Sequence, residues 1–193
     1  MIRIVLIRPG ATEYDRQGRI QGVLDMPLNE EGAGEASRIA GELREMGLEI
    51  IYSSDCEHAL QTAAAVAAVL GTKTKRLDNM QNLDHGLWQG MLVDEVKRKQ
   101  PKVYRQWQEQ PESVCPPGGE MLGDAQKRVW AVLVKLFKKH KGGVVGLVVP
   151  EPLASLVRAS LDQSEVGDLW RAGAEHGTWE AIDVEPRSLA HSS

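Results

Sequence analysis

Five histidines, His58, His85, His140, His176 and His191, are the side chains of this 193-residue chain best suited to nucleophilic or acid–base chemistry near neutral pH. No metal-ligand spacing surrounds them, so no metal site is expected. Cys56 and Cys115 are too few for a disulfide framework or a thiolate metal site. The chain has neither a dinucleotide-binding glycine fingerprint nor a phosphate loop ending in Gly-Lys-Ser/Thr, and no cofactor is expected. Any chemistry must therefore come from isolated side chains that the fold brings together.

The elements that would bring them together follow from patterning. Ile2 to Ile7, Ile50 to Tyr52, Val144 to Val149 and Trp179 to Val184 read as strands; the third is a continuous apolar run, as in a sheet covered on both faces. A first helix starts at the N-cap Asn29 and stops at Gly47. A second starts from a capping box, Ser54 to Glu57, and runs along an alanine-rich face to Gly71. A third spans Glu120 to about Lys141, its lysines at the negative end of the helix dipole. Alternating strands and helices predict an α/β fold, a three-layer sandwich with a mostly parallel central sheet. Residues 1–187 are expected to form one domain with a small cap at about 91–118, and 188–193 a flexible tail.

Composition sets the remaining bounds. Hydrophobic residues at 42% and charged residues at 26% exclude a disordered or fibrous chain. With 23 basic and 27 acidic side chains the net charge is −4, so neither nucleic acid nor membrane is an expected partner. The first apolar run is too short for a signal-peptide core, and a cytoplasmic location is expected.

In an open α/β sheet, ligands sit beyond the carboxyl ends of the strands. That rule selects the segments after Ile7, after Tyr52, around Asn82 and after Val149. They hold Arg8, Pro9 and Gly10, then His58, then Asn82 and His85, then Pro150 and Glu151.

These segments also carry a family resemblance. Leu6-Ile7-Arg8-Pro9-Gly10-Ala11-Thr12, Gly18 to Gly22 and Pro27 to Gly32 resemble the start of the phosphoglycerate-mutase-like histidine phosphatase superfamily. Tyr52-Ser53-Ser54-Asp55, Gln61-Thr62-Ala63, Asp84 to Gly90, Pro117 to Glu120 and Val148-Val149-Pro150 continue the likeness in order to about residue 150. In that family a histidine attacks phosphorus and carries the phosphoryl group. Two arginines and a second histidine hold the oxygens, and a glutamate moves the proton.

Carried over by position, the resemblance implies a member that keeps the fold and has lost the reaction. Arg8 keeps the first arginine, but Pro9 stands at the nucleophile and His58 at the second arginine, in Ser-Ser-x-x-x-His-Ala. Asn82 stands at the acid, Pro150 at the second histidine, and Glu151 follows where glycine is usual. Proline in a chain has no nucleophilic nitrogen and no proton to give. The implied function is a catalytically inactive member whose vestigial pocket (Arg8, Gly10, His58, His85, Glu151) holds a phosphorylated small molecule, phosphate or sulfate, or which acts as a homo-oligomer or a regulatory protein partner. The alternative is an active phosphatase or phosphomutase rearranged around His58 or His85.

Plainer roles stand beside these. Arg8 is equally suited to an ion pair with Glu151 or Asp15, and His58 to a neutral ring bonded to a neighbour. His85 is read as pocket wall, His176 as a loop residue at the pocket border, and Trp107 as packing within the cap. His140 and His191 receive no role. The lysines from Lys135 to Lys141 are read as a solvated helix end.

Overall fold

The computed structural model describes residues 1–185; the expected tail, with His191, lies outside the described residues. Strands β1 (Ile2–Ile7), β2 (Ile50–Ser54), β3 (Lys73–Leu77), β4 (Val144–Val148) and β5 (Trp179–Val184) form one sheet in the order β3-β2-β4-β1-β5. The first four are parallel and β5 runs antiparallel to β1. Ile4 pairs with Val145 and Leu6 with Leu147, both buried, because helices cover both faces of the central strands.

Two cores result. On one face, α2 (Glu30–Glu42) and α3 (Glu57–Leu70) press Ile39, Ala40, Ala59, Ala63 and Val66 against Val5, Ile7 and Ile51. On the other, α6 (Leu122–Lys139) and α7 (Leu153–Asp162) cover the sheet, joined by the capping helices α4 (Val93–Lys99) and α5 (Pro101–Glu109) and by α8 (Leu169–Ala172). Leu122, Ala125, Val129, Val132, Leu133 and Leu136 recur at helical spacing on α6 and form its buried stripe. Each large apolar side chain so buried contributes about 1.5 to 3 kcal/mol.

Several expectations need correction. Ser54 is not a helix cap: it ends β2 and its hydroxyl donates to the Met80 carbonyl at 2.6 Å. The N-cap of α3 is Cys56, whose side chain makes no cap bond, and the Glu57 amide donates instead to Asp25, 2.6 Å away. A long-range carboxylate thus replaced the local box. The first long helix ends at Glu42, with turns carrying the chain to Gly47 at φ +69°.

Helix α1 (Glu13–Gln17) and strand β3 are among the elements absent from the sequence reading. Helix α1 is closed by a Thr12–Asp15 capping box. The edge strand β3, Lys-Thr-Lys-Arg-Leu, is exposed at its first four residues; the charges that hide its pattern are those that blunt a sheet edge.

Candidate functional site

β1 and β4 lie side by side and end together, Ile7 beside Val148, with the Val149 amide donating to the Ile7 carbonyl at 2.9 Å. Arg8-Pro9-Gly10 and Pro150-Glu151 therefore leave the sheet next to each other. Gly10 then crosses the start of α2 so closely that a Cβ there would lie 2.2 Å from the Gly32 carbonyl oxygen. This contact requires glycine and fixes the loop.

A cavity of about 260 Å³ opens beyond these strand ends. Pro9, Gly10, Asn82, Pro150 and Glu151 form one wall, and His85, Trp107 and Trp170 form the other. Asp15 of α1, Gln21 of the loop after it and His58 of α3 also line the cavity, as do Glu175 and His176 of the loop before β5. The sequence-selected segments thus converge on one place.

The donors expected to hold an anion are already engaged. The Arg8 Nε donates to Glu151 at 2.6 Å, its Nη2 donates to Glu180 at 2.8 Å, and Glu175 stands 3.6 Å from Nε. Of its two suggested partners, Arg8 takes Glu151; Asp15 is occupied in capping α1. The Gly10 amide donates to the Thr62 hydroxyl at 3.1 Å. Burial disfavours the Arg8 charge, but Glu151 and Glu180 more than offset this and raise its pKa. Burial also raises the pKa of Glu151, against the pull of Arg8 and of the Ser155 amide and hydroxyl bonded to its Oε2.

Asn82 is committed to holding the β4–α7 connection. Its amide donates to the Glu151 carbonyl at 2.8 Å, and its oxygen accepts from the Leu83 and Leu153 amides. The Leu153 bond satisfies an orphan donor at the start of α7. A carboxylate here would accept those amides but could not donate to the Glu151 carbonyl.

The histidines separate into distinct environments. His58 is buried, its Nδ1 is 3.5 Å from the Gln21 amide nitrogen, and burial lowers its pKa, so the ring is neutral. His85 lies between Trp88 and Trp107, with ring centroids at 6.4 and 5.6 Å. Burial lowers its pKa to about 4, and no side-chain hydrogen bond holds its ring; Nδ1 is fully buried without a partner. His176 pairs with Glu35 at 2.8 Å, and His140 meets the Tyr52 hydroxyl at 2.9 Å, away from the cavity.

Glu31, Glu35 and His176 each bring one potential ligand atom within 4.8 Å of the others. Glu35 is already occupied by hydrogen bonds with His176 and with the Ala11 amide, each at 2.8 Å.

Glu175, Glu180, Gln21 and Trp170 escaped sequence reasoning. Glu180 sits on β5 opposite Leu6, two residues before Arg8 on β1, a neighbourhood visible only once β5 is known to run antiparallel to β1. Trp170 comes from a four-residue helix too short to show a period. No helix among the described residues is long and apolar enough to cross a membrane.

Comparison with known proteins agrees with this architecture. Phosphoserine phosphatase 1 of Hydrogenobacter thermophilus is 32% identical over 187 residues, which cover 97% of this chain and 89% of that protein. A bifunctional protein of Mycobacterium tuberculosis is 33% identical over 172 residues, 88% of this chain and 46% of its own length. The structure of a mycobacterial glucosyl-3-phosphoglycerate phosphatase complexed with VO3 superposes with a TM-score of 0.83 at 25% identity, covering 95% of this chain and 91% of that one. The family model of the histidine phosphatase superfamily (branch 1) matches residues 4–190. With so nearly complete a match in sequence and in fold, the chain belongs to the histidine phosphatase superfamily.

Proposed function

We propose that this protein is a catalytically inactive member of the superfamily that keeps its cavity for binding. The observation that carries this reading is the state of the strand-end wall: Pro9 follows β1, and the adjoining Arg8 is surrounded by Glu151, Glu175 and Glu180. A phosphoryl group needs a nucleophile in line and positive donors around its equatorial oxygens. Here the position after Arg8 offers a tertiary amide nitrogen whose lone pair is delocalised into the carbonyl, and the nearest guanidinium meets more negative charge than it can neutralise. The prolines at 9 and 150 both line the cavity, where they supply shape and no proton. A phosphorylated ligand at Arg8 and Gly10 would have to displace Glu151 and Thr62.

The second reading is an active phosphatase or phosphomutase using His58 or His85. It is favoured by relatives named for phosphatase activity and by the presence of both histidines at the cavity. Against it stand the deep burial of His85 and the acidic surroundings of Arg8.

One experiment separates the two. Purified protein incubated with an aryl phosphate such as p-nitrophenyl phosphate should release no phosphate above background and form no acid-labile phosphohistidine. Turnover well above background, lost in His58→Ala or His85→Ala, would establish the second reading and end the first.

A further inference from the structure

Resting on the reading of this cavity as a binding site without phosphoryl transfer, we infer that its ligand is a small organic cation: an ammonium group carried on an apolar body. Three carboxylates meet the single guanidinium of Arg8, at 2.6, 2.8 and 3.6 Å, and two of them, Glu151 and Glu175, line the cavity. If Glu151 is protonated, Glu175 and Glu180 still outnumber the charge they face. Asp15 adds a further negative charge to the lining. Against these stands Arg19, which places Nη1 on the Gly90 carbonyl and Nε on the Gln17 side chain. An anion entering here meets net repulsion, whereas a cation supplies the missing charge.

The rest of the cavity fits the other parts of such a ligand. Trp170, 8% exposed, lines the cavity and gives an organic cation aromatic surface to pack on, while Trp107, 2% exposed, holds that ring in place. Two histidines, each more than nine-tenths buried, line the space, and His85 has unused hydrogen-bonding capacity. The His85 ring bonds to no side chain or backbone group. His58 is already engaged, with the Gln21 amide nitrogen 3.5 Å from its Nδ1 and with the Met26 carbonyl. A buried polar group left without a partner, as at His85, is the mark of a site completed by something else. The volume, about 260 Å³, is at the small end for ligand pockets and suits a metabolite-sized molecule.

The test is calorimetric titration of the full chain with benzylammonium, butylammonium and choline, against benzyl alcohol, benzoate and inorganic phosphate. At least one ammonium ion is expected to bind saturably and at least about tenfold more tightly than the neutral and anionic probes. Glu175→Gln, a change at an exposed position, should weaken that binding several-fold. Ala174→Trp, at the exposed cavity lining, should block it. No saturable binding of any ammonium up to millimolar concentration, tighter binding of phosphate or benzoate, or binding that survives both substitutions would overturn the inference. Aryl phosphate turnover would bring down the inactive reading instead, and it is scored separately from ammonium binding.

Discussion

The two walls of the cavity are built by opposite means. The strand-end wall is held by charge and hydrogen bonds across long sequence separations: Arg8 to Glu151 and Glu180, Asn82 to the Glu151 carbonyl and the Leu153 amide. The cap wall is held by rings. Trp88, Trp107 and Trp170 lie within 6.2 Å of one another, centroid to centroid, with Tyr104 stacked on Trp170 at 5.0 Å and His85 at the edge. The first wall specifies charge and is fixed by directional bonds; the second specifies volume and is fixed by packing. Perturbing one should leave the signature of the other intact.

The largest effect is expected on the cap wall. Trp107 is 2% exposed and touches Trp88, Trp170 and His85, so Trp107→Ala removes the centre of the cluster. The expected loss is about 3 to 5 kcal/mol in urea unfolding, from lost burial plus the void left behind. A loss below 1 kcal/mol, on the order of a surface substitution, would show that the rings do not pack as one unit.

On the strand-end wall, Arg8→Met leaves the Glu151 carboxylate, 1% exposed, without its cation. The expected cost is about 3 kcal/mol at neutral pH, less than for a group unable to neutralise itself. Burial already raises the Glu151 pKa, and without Arg8 it rises further. The native variant then holds a proton that the unfolded chain releases, so its stability is greatest at low pH and falls as pH rises through the folded pKa. Stability of the variant, measured between about pH 5 and pH 8 and referred to wild type, should recover toward acid. A pH-independent deficit would mean that Glu151 is not the group left exposed to the change.

His85 gives the cap wall the opposite pH signature. Its folded pKa of about 4 lies below the unfolded value of 6.5, so the unfolded chain takes up the proton first. The contribution is complete above pH 6.5 and declines as pH falls toward 4, by about 2 kcal/mol at pH 5. His85→Phe keeps an aromatic ring and should remove this acid sensitivity. If wild type and His85→Phe lose stability in parallel from neutral pH to about pH 5, the ring is not held neutral by burial.

The walls also differ in how far they could be read from sequence. Four strands, the parallel sheet and the convergence of Arg8, Gly10, His58, Asn82, His85 and Glu151 followed from apolar runs, from helix signals such as Asn29 and Gly71, and from the rule for strand ends. The Arg8–Glu151 pair was one of two partners considered. Glu175 and Glu180 were missed because an antiparallel last strand brings them to Arg8 from about 170 residues away, and no local pattern encodes that return. Asn82 gave no sign of its hydrogen-bonding task, which depends on a loop some 70 residues later. The cap wall was hidden for a different reason: its rings come from a 3-10 turn and two short helices, and only the fold stacks them. Ser54 failed for the same reason in reverse, since its local capping pattern was overruled by the Met80 carbonyl.

The smallest effect tests how the two helices of the cap wall are joined to each other. Asp168 caps α8 by accepting from the Trp170 and Arg171 amides at 3.0 and 3.3 Å, and its other oxygen accepts from the Gln108 side chain on α5 at 2.6 Å. One carboxylate thus fixes the helix that presents Trp170 and ties it to the helix that presents Trp107. Asp168→Ala removes a cap and should cost about 1 kcal/mol. Asp168→Asn keeps the oxygen that accepts from the backbone and should recover most of that loss. Because Trp170 also donates to the Tyr104 carbonyl at 2.9 Å, the ring should stay in the cluster while its mobility rises. Tryptophan fluorescence anisotropy should therefore fall more in Asp168→Ala than in Asp168→Asn, with the pH profile of each unchanged from wild type. A changed pH profile in either variant would couple the aromatic wall to the charged one and remove the distinction between them.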